Sequence, residues 1–132
     1  MIINITRKTA IKEVQRKFNI AFPFLKIEFH DQSSGKKGEA ENCYAPNLKL
    51  FEVAGIKQPG WVILQTGHTA LQLQELFKDR FGFYASIFRK ENDRWIEVSY
   101  TDVTTLEELN RIGRKSIEKN RDPYWREREV LL

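Results

Sequence analysis

Few side chains in this sequence are suited to nucleophilic or metal chemistry. His30 and His68 have no histidine, cysteine or carboxylate at metal-ligand spacing beside them. Cys43 would act as a nucleophile only if the fold brought a basic partner to it. We therefore interpret both histidines as surface residues and Cys43 as an inert thiol. The sequence predicts no catalytic residue, no metal site and no cofactor, and hence a protein that is not an enzyme.

Aromatic and cationic side chains around a predicted hairpin offer a second kind of chemistry. Asn92-Asp93 is a tight-turn dipeptide, and it places Ile87 opposite Val98 on the inner face of the hairpin. Large exposed apolar patches usually mark interaction sites. The alternative is that the first half of the chain, or Tyr124-Trp125 in the tail, covers the outer face. The predicted partner-binding residues on that face are Tyr84, Phe88, Lys90 and Trp95.

The last predicted helix is rich in basic residues, which suggests phosphate contacts. Acidic residues such as Glu118 alternate with them, and mixed charge of this kind usually marks a solvated helix face. A nucleic-acid-binding stripe is the alternative function. Its residues would be Arg111, Arg114, Lys115, Lys119 and Arg121.

Composition is typical of a folded protein of modest positive charge. The 132 residues are 41% hydrophobic and 30% charged, with a net charge of +4 and a pI near 9.2. This length predicts one domain, residues 1–132. A lone cysteine cannot form an internal disulfide, and no apolar run suits a signal peptide or a membrane span. We therefore expect a cytoplasmic protein with no membrane partner.

The stretch 61–88 reads as a strand, an amphipathic helix and a second strand, and the N-terminus repeats it less clearly. Aligning Met1 with Trp61 gives an offset of sixty, which falls by one residue at Phe18 and Phe77 and by one more in the following strand. The predicted halves are residues 1–57 and 61–120, with a tail at 121–132.

Capping signals set the expected helix ends. Thr9 is a plausible N-cap for the first helix, and Thr69 with Gln72 has capping-box spacing for the second. Gly82 should end that second helix in a left-handed conformation. Thr104 or Thr105 should cap the last helix, and Asp122-Pro123 should stop it. The predicted packing face of this helix is Leu106, Leu109, Gly113 and Ile117.

These elements predict an α+β fold made of two similar β-α-β-(β)-α halves in one domain. The first half together with the strand at 61 could alternatively complete a ferredoxin-like βαββαβ order.

Several short stretches resemble a known family. They are AFPFLKIEF from Ala21, FGF from Phe81, FRK from Phe88, WIE from Trp95 and TLEE from Thr105. They are similar to a family of small, uncharacterised bacterial proteins with two α+β halves and no assigned activity. The resemblance implies a bacterial protein and supplies no catalytic residues.

The sequence thus favours a non-enzymatic interaction module that binds a protein partner, or itself, through the aromatic hairpin face. The alternative is nucleic-acid binding through the basic last helix and tail.

Overall fold

The structure is a computed structural model, and it describes residues 1–30, 43–53 and 58–121, the last three of these as helix backbone only. The five strands are β1 (Ile2–Ile5), β2 (Leu25–His30), β3 (Gly60–Ile63), β4 (Tyr84–Glu91) and β5 (Arg94–Glu97). The four helices are α1 (Ile11–Ala21), α2 (Leu50–Val53), α3 (Ala70–Phe81) and α4 (Leu106–Arg121).

The strands form two antiparallel sheets. β1 pairs with β3 in a two-stranded ribbon, and β4 lies between β2 and β5 in a three-stranded sheet. With four helices, this confirms the predicted α+β class, and the element order is compatible with two halves. The strands do not form the single sheet of the ferredoxin-like alternative, because β1 and β2 belong to different sheets.

Similar hydrogen bonds recur in the two halves, with an offset of 59 before the first helix of each half and of 56 at the later segment. Leu50 N donates to Thr9 O, and Leu106 N donates to His68 O. The isolated bridge between Ala10 and Lys49 likewise has a counterpart between Thr69 and Thr105. The predicted initial offset of sixty differs by one residue from the spacing of these turns. It followed the matching Thr-Ala pairs, whereas in the structure Thr9 is equivalent to His68.

The second strand of each half is related by an offset of 58. Tyr44 N donates to Phe29 O at 2.8 Å, and Val98 N donates to Ile87 O at the same distance. Within the sheets, some strand positions pair directly with their own counterparts. Glu28 lies opposite Ser86, and Ile3 lies opposite Val62. The register of each of these two strand pairs is therefore the one that a local two-fold axis would give.

One hydrophobic cluster takes residues from both sheets and from all four helices. Phe29 of β2 meets Phe77 of α3 and Phe83 edge to face, with ring centroids 5.2 and 5.3 Å apart. Such pairs add about 0.5–1.5 kcal/mol each to the free energy gained by burying the rings. The inner face of the three-stranded sheet thus carries the main core.

The predicted capping box of α3 is present. Gln72 N donates to Thr69 Oγ1, and Thr69 N donates to Gln72 Oε1. Gly82 ends the helix with φ of 76°, a left-handed conformation that glycine adopts without a Cβ clash. Thr105 Oγ1 accepts from Glu108 N at the start of α4, so these expectations are confirmed.

The predicted N-cap of α1 is wrong. The helix begins at Ile11, its N-cap is Ala10, and no side chain caps it. Backbone carbonyls replace the cap, because Ile11 N donates to Leu48 O and Lys12 N donates to Pro46 O. The segment before α2 therefore satisfies donors that a helix start otherwise leaves unpaired.

The inner face of α4 agrees with the prediction. Leu106, Leu109 and Gly113 are buried, and Ile117 is half-buried. Phe24 N donates to Asn110 Oδ1 at 2.7 Å, which ties the start of β2 to the helix. None of the helices in the described part of the chain has the length and apolar character that a membrane span requires.

Candidate functional site

The β4–β5 hairpin has the predicted turn and register. Asn92 opens the turn with φ of 58°, in the left-handed region where asparagine is favoured. The predicted pairs are all present, namely Phe88 with Glu97, Arg89 with Ile96, Lys90 with Trp95 and, through the hydrogen bond described above, Ile87 with Val98.

The outer face of the three-stranded sheet is defined here as the face opposite the core. Side chains alternate between the faces of a strand. Because Ile27 and Ile87 face the core, their neighbours point outward. The outward-facing residues are Lys26, Glu28 and His30 on β2, Tyr84, Ser86, Phe88 and Lys90 on β4, and Trp95 and Glu97 on β5.

The predicted exposure of this face is only partly correct. Phe88 is 7% exposed, so its ring is buried and is not an open contact surface. Lys26 lies directly across the strand pair, and its Nζ is 5.0 Å from the centroid of the Phe88 ring. Tyr84, Lys90 and Trp95 are half-buried. Sequence alternation placed Phe88 on the correct face, but it could not show that neighbours cover the ring.

Two lysine ammonium groups converge on Trp95. Lys90 Nζ is 4.7 Å from the centroid of the Trp95 ring, and Lys26 Nζ is 5.2 Å from it. Each distance lies within the reach of a cation–π interaction. Lys26 also pairs with Glu28 at 3.5 Å. The result is a lysine–aromatic cluster, defined as Lys26, Phe88, Lys90 and Trp95.

A cleft of about 360 Å³ lies beside this cluster. Cys43 is half-buried in the wall of the cleft. Its backbone forms an isolated antiparallel β-bridge with the backbone of His30. The cleft is lined by Lys26, Glu28, Cys43, Tyr44, Ala45, Pro46 and Phe88. It lies between the aromatic ring of Phe88 and the segment 43–46, at the margin of the outer face.

His30 is not the surface residue that the sequence predicted. Its side chain is 2% exposed, and its Nε2 lies 3.1 Å from Ser86 Oγ. A serine beside a histidine is the geometry of a nucleophile and its base. Ser86 is itself 0% exposed, however, so a substrate cannot reach its hydroxyl in this conformation. The contact gives each of these two buried polar side chains a hydrogen-bond partner. The two residues lie far apart in the chain, so their spacing in the sequence could not predict the contact.

The basic helix is partly neutralised by its own acidic residues. Arg111 forms an ion pair with Glu108, and Arg114 Nε lies 3.6 Å from Glu118. The hydrogen bond from Arg111 holds the pKa of Glu108 below its usual range and raises the pKa of the Arg111 guanidinium. Lys115 is exposed. The side chains of Lys119 and Arg121, with Tyr124-Trp125 of the tail, lie outside the described residues.

Across residues 1–30, 43–53 and 58–121, no group of three or more histidine, cysteine or carboxylate side chains could hold a metal ion.

No protein-family model matches the chain, and no curated protein or solved structure is significantly similar to it. The resemblance to a bacterial family therefore remains a prediction from the sequence.

Proposed function

We propose that this chain is a non-enzymatic interaction module, and that the outer face of its three-stranded sheet binds an acidic segment of a protein partner. The observation that carries the proposal is the convergence of the Lys26 and Lys90 ammonium groups on the Trp95 ring, at 5.2 and 4.7 Å. The half-buried tryptophan offers apolar contact, and the lysines offer charge. Aromatic residues of this kind dominate the energy of many interfaces.

The charges of the cluster favour an anionic ligand. Glu28 already pairs with Lys26, whereas Lys90 is stacked on a neutral ring. Stacking restrains the lysine side chain, so less conformational entropy is lost when a carboxylate binds it. The net charge of +4 would also attract an acidic partner from a distance.

The same proposal treats the two halves as copies of one β-α-β-(β)-α unit and places the protein in the bacterial cytoplasm, where the single thiol of Cys43 would stay reduced. It assigns no catalytic role to the Ser86–His30 pair, because both side chains are buried.

Nucleic-acid binding through α4 is the weaker candidate. Two of the predicted phosphate-binding residues, Arg111 and Arg114, already form ion pairs within the helix. A phosphate group would have to compete with Glu108 and Glu118 for these guanidinium groups.

A binding assay with defined probes tests the proposal. Labelled peptides of equal length, rich in glutamate, neutral or rich in lysine, are titrated with the full chain and followed by fluorescence anisotropy, alongside single-stranded DNA and RNA. We expect the glutamate-rich peptide to bind, and Trp95→Ser and Lys90→Gln each to weaken it about tenfold. The matched control is Lys12→Gln, an exposed lysine on α1, which should bind as the native chain does.

Two results would count against the acidic-partner proposal. One is equal binding of all three peptides, or of none. The other is tight, salt-sensitive binding of nucleic acid that Arg111→Gln reduces and Trp95→Ser does not, because steep salt dependence reports phosphate contacts. That second result would favour the basic helix instead.

A further inference from the structure

The β1–β3 ribbon carries exposed apolar side chains on its outer side. Ile2 is 56% exposed, Trp61 is 51% exposed and Ile63 is 50% exposed. Their strand neighbours Ile3 and Val62 are buried in the core. Isolated apolar residues on a surface are ordinary, but a contiguous group marks a contact site.

Strand pairing makes these three residues contiguous. Ile2 lies directly opposite Ile63, and Asn4 lies directly opposite Trp61. Directly opposed side chains have Cβ atoms about 5 Å apart, and diagonal neighbours are within reach of an aromatic ring. The ribbon face is therefore defined as Ile2, Asn4, Trp61 and Ile63.

No residue of the ribbon face is ionisable. Two cations border this face. The terminal ammonium of Met1 donates to Leu64 O at 2.9 Å. The guanidinium of Arg80 lies 5.8 Å from the Trp61 ring and donates to Trp61 O at 3.3 Å. It lies at the rim, as charged groups commonly do in interfaces. A neutral apolar surface matches this face, whereas an acidic or basic partner would find no ion pair at its centre.

The ribbon face also maps approximately onto itself by a half-turn. At the offset of 59, Ile2 corresponds to Trp61 and Asn4 corresponds to Ile63, so each strand contributes its residues in equivalent positions. A two-fold dimer needs one patch that is complementary to itself. The same uncharged face on a second copy meets that requirement.

We propose that a second copy of this chain docks on the ribbon face, so that two ribbons pack face to face. Half of each of three large side chains amounts to roughly 300 Å² of apolar surface. A standard interface takes about 800 Å² from each partner. The patch supplies the apolar centre of a small interface, so the dimer should be weak and should form at about micromolar concentrations or above. This proposal does not depend on the lysine–aromatic cluster.

Sedimentation velocity of the full chain over about 10 μM to 1 mM tests it. The average mass should rise from 15.6 kDa towards twice that value as concentration increases. Trp61→Ser and Ile63→Lys should each raise the dimer dissociation constant at least about tenfold, since both disturb the apolar centre. Trp95→Ser, on the other sheet, should leave the dissociation constant unchanged and serves as the control.

Thermal unfolding of each variant separates loss of docking from loss of the fold. If Trp61→Ser fails to fold, Ile63→Lys decides the question. The proposal is wrong if the native chain remains monomeric at 1 mM, or if folded Trp61→Ser and Ile63→Lys dimerise as the native chain does. It is also wrong if Trp95→Ser alone abolishes the dimer. Peptide binding by the outer sheet face is measured separately, so either proposal can fail without the other.

Discussion

Thr9 and His68 hold equivalent turns with different side chains. Thr9 Oγ1 accepts from Thr6 N at 2.8 Å, and His68 Nδ1 accepts from Gln65 N at 3.2 Å. The imidazole is therefore a backbone acceptor in the turn before α3. Its isolation in the sequence predicted no metal partners, and spacing alone could not show which backbone donor it binds.

Asp102 offers a test of electrostatics at the residue scale. Its carboxylate accepts from Thr104, and this hydrogen bonding, aided by the charge of Arg89, lowers the pKa of Asp102 below its usual value. A lowered pKa in the folded state stabilises the fold above the unfolded pKa of about 4, and the contribution is lost as pH falls through the folded value. We expect Asp102→Ala to lower the free energy of unfolding by about 1 kcal/mol at pH 7.

The difference between native and Asp102→Ala should shrink progressively below about pH 4. Urea denaturation from pH 2 to pH 7 measures it. Asp102→Asn is the control, because it keeps an acceptor oxygen while removing the charge. Its free energy of unfolding should lie between those of the native chain and of Asp102→Ala. A difference that stays constant across this range would show that Asp102 stabilises the fold without its charge.

At the scale of elements, helix α4 sits unusually close to the chain beneath it at Gly113. A Cβ added there would lie 2.9 Å from Phe24 Cβ and 3.2 Å from Lys90 O. This glycine is therefore a packing requirement of the contact between α4 and the ends of β2 and β4.

We expect Gly113→Ala to destabilise the fold, although alanine is the better helix former by about 1 kcal/mol. The clash involves backbone as well as side chain, and overpacking of this kind typically costs about 1–3 kcal/mol. Gly67→Ala is the control, since no atom lies within 4 Å of its added Cβ. Denaturant unfolding of both variants would contradict this account if Gly113→Ala were the more stable of the two.

The inner and outer faces of the hairpin give a second test of element packing. Ile87→Ala should cost about 2–5 kcal/mol by leaving a cavity in the core. Phe88→Ser should cost about 3 kcal/mol because its ring is buried, more than the exposed ring that the sequence predicted would cost. Trp95→Ser should cost only about 1–2 kcal/mol, mainly through its lysine contacts.

Urea denaturation of the three single variants ranks them, with Val98→Ala as a second core position. A Phe88→Ser variant as stable as the native protein would mean that the ring is accessible after all.

The turn dipeptide and side-chain alternation were enough to predict the hairpin register. Burial of Phe88 could not be predicted in the same way, because cross-strand neighbours such as Lys26 are distant in the chain and reach the ring only through sheet pairing.

At the scale of the molecule, each half completes the sheets of the other. β1 of the first half pairs with β3, and β2 pairs with β4. Repetition in the sequence indicated two similar halves, but it could not indicate this exchange of strand partners. A repeat in the sequence is equally compatible with two units that fold independently and with two halves that share their sheets. Only the strand pairing across the halves distinguishes these arrangements.

Separated halves should therefore fail to fold alone. We expect the fragments 1–57 and 58–132 each to lack a cooperative thermal transition, and an equimolar mixture to recover native-like far-UV circular dichroism. Each fragment alone would leave strand edges and half of the shared core exposed to water. The intact chain under the same conditions is the reference, and a cooperative transition in either isolated fragment would contradict the prediction.

The exchange of strands also constrains how the protein is made. As the chain leaves the ribosome, β1 has no strand to pair with until residue 63 has been synthesised, and β2 must wait for residue 89 to complete its pairing with β4. Each strand waits for about 60 further residues, so at about 5–20 residues per second the N-terminal strands spend roughly 3–12 seconds without their partners. Ile3, Ile5 and Ile27 would be solvent-accessible during that interval. Synthesis rate and chaperone supply, rather than the stability of the finished fold, should then limit the yield of native protein.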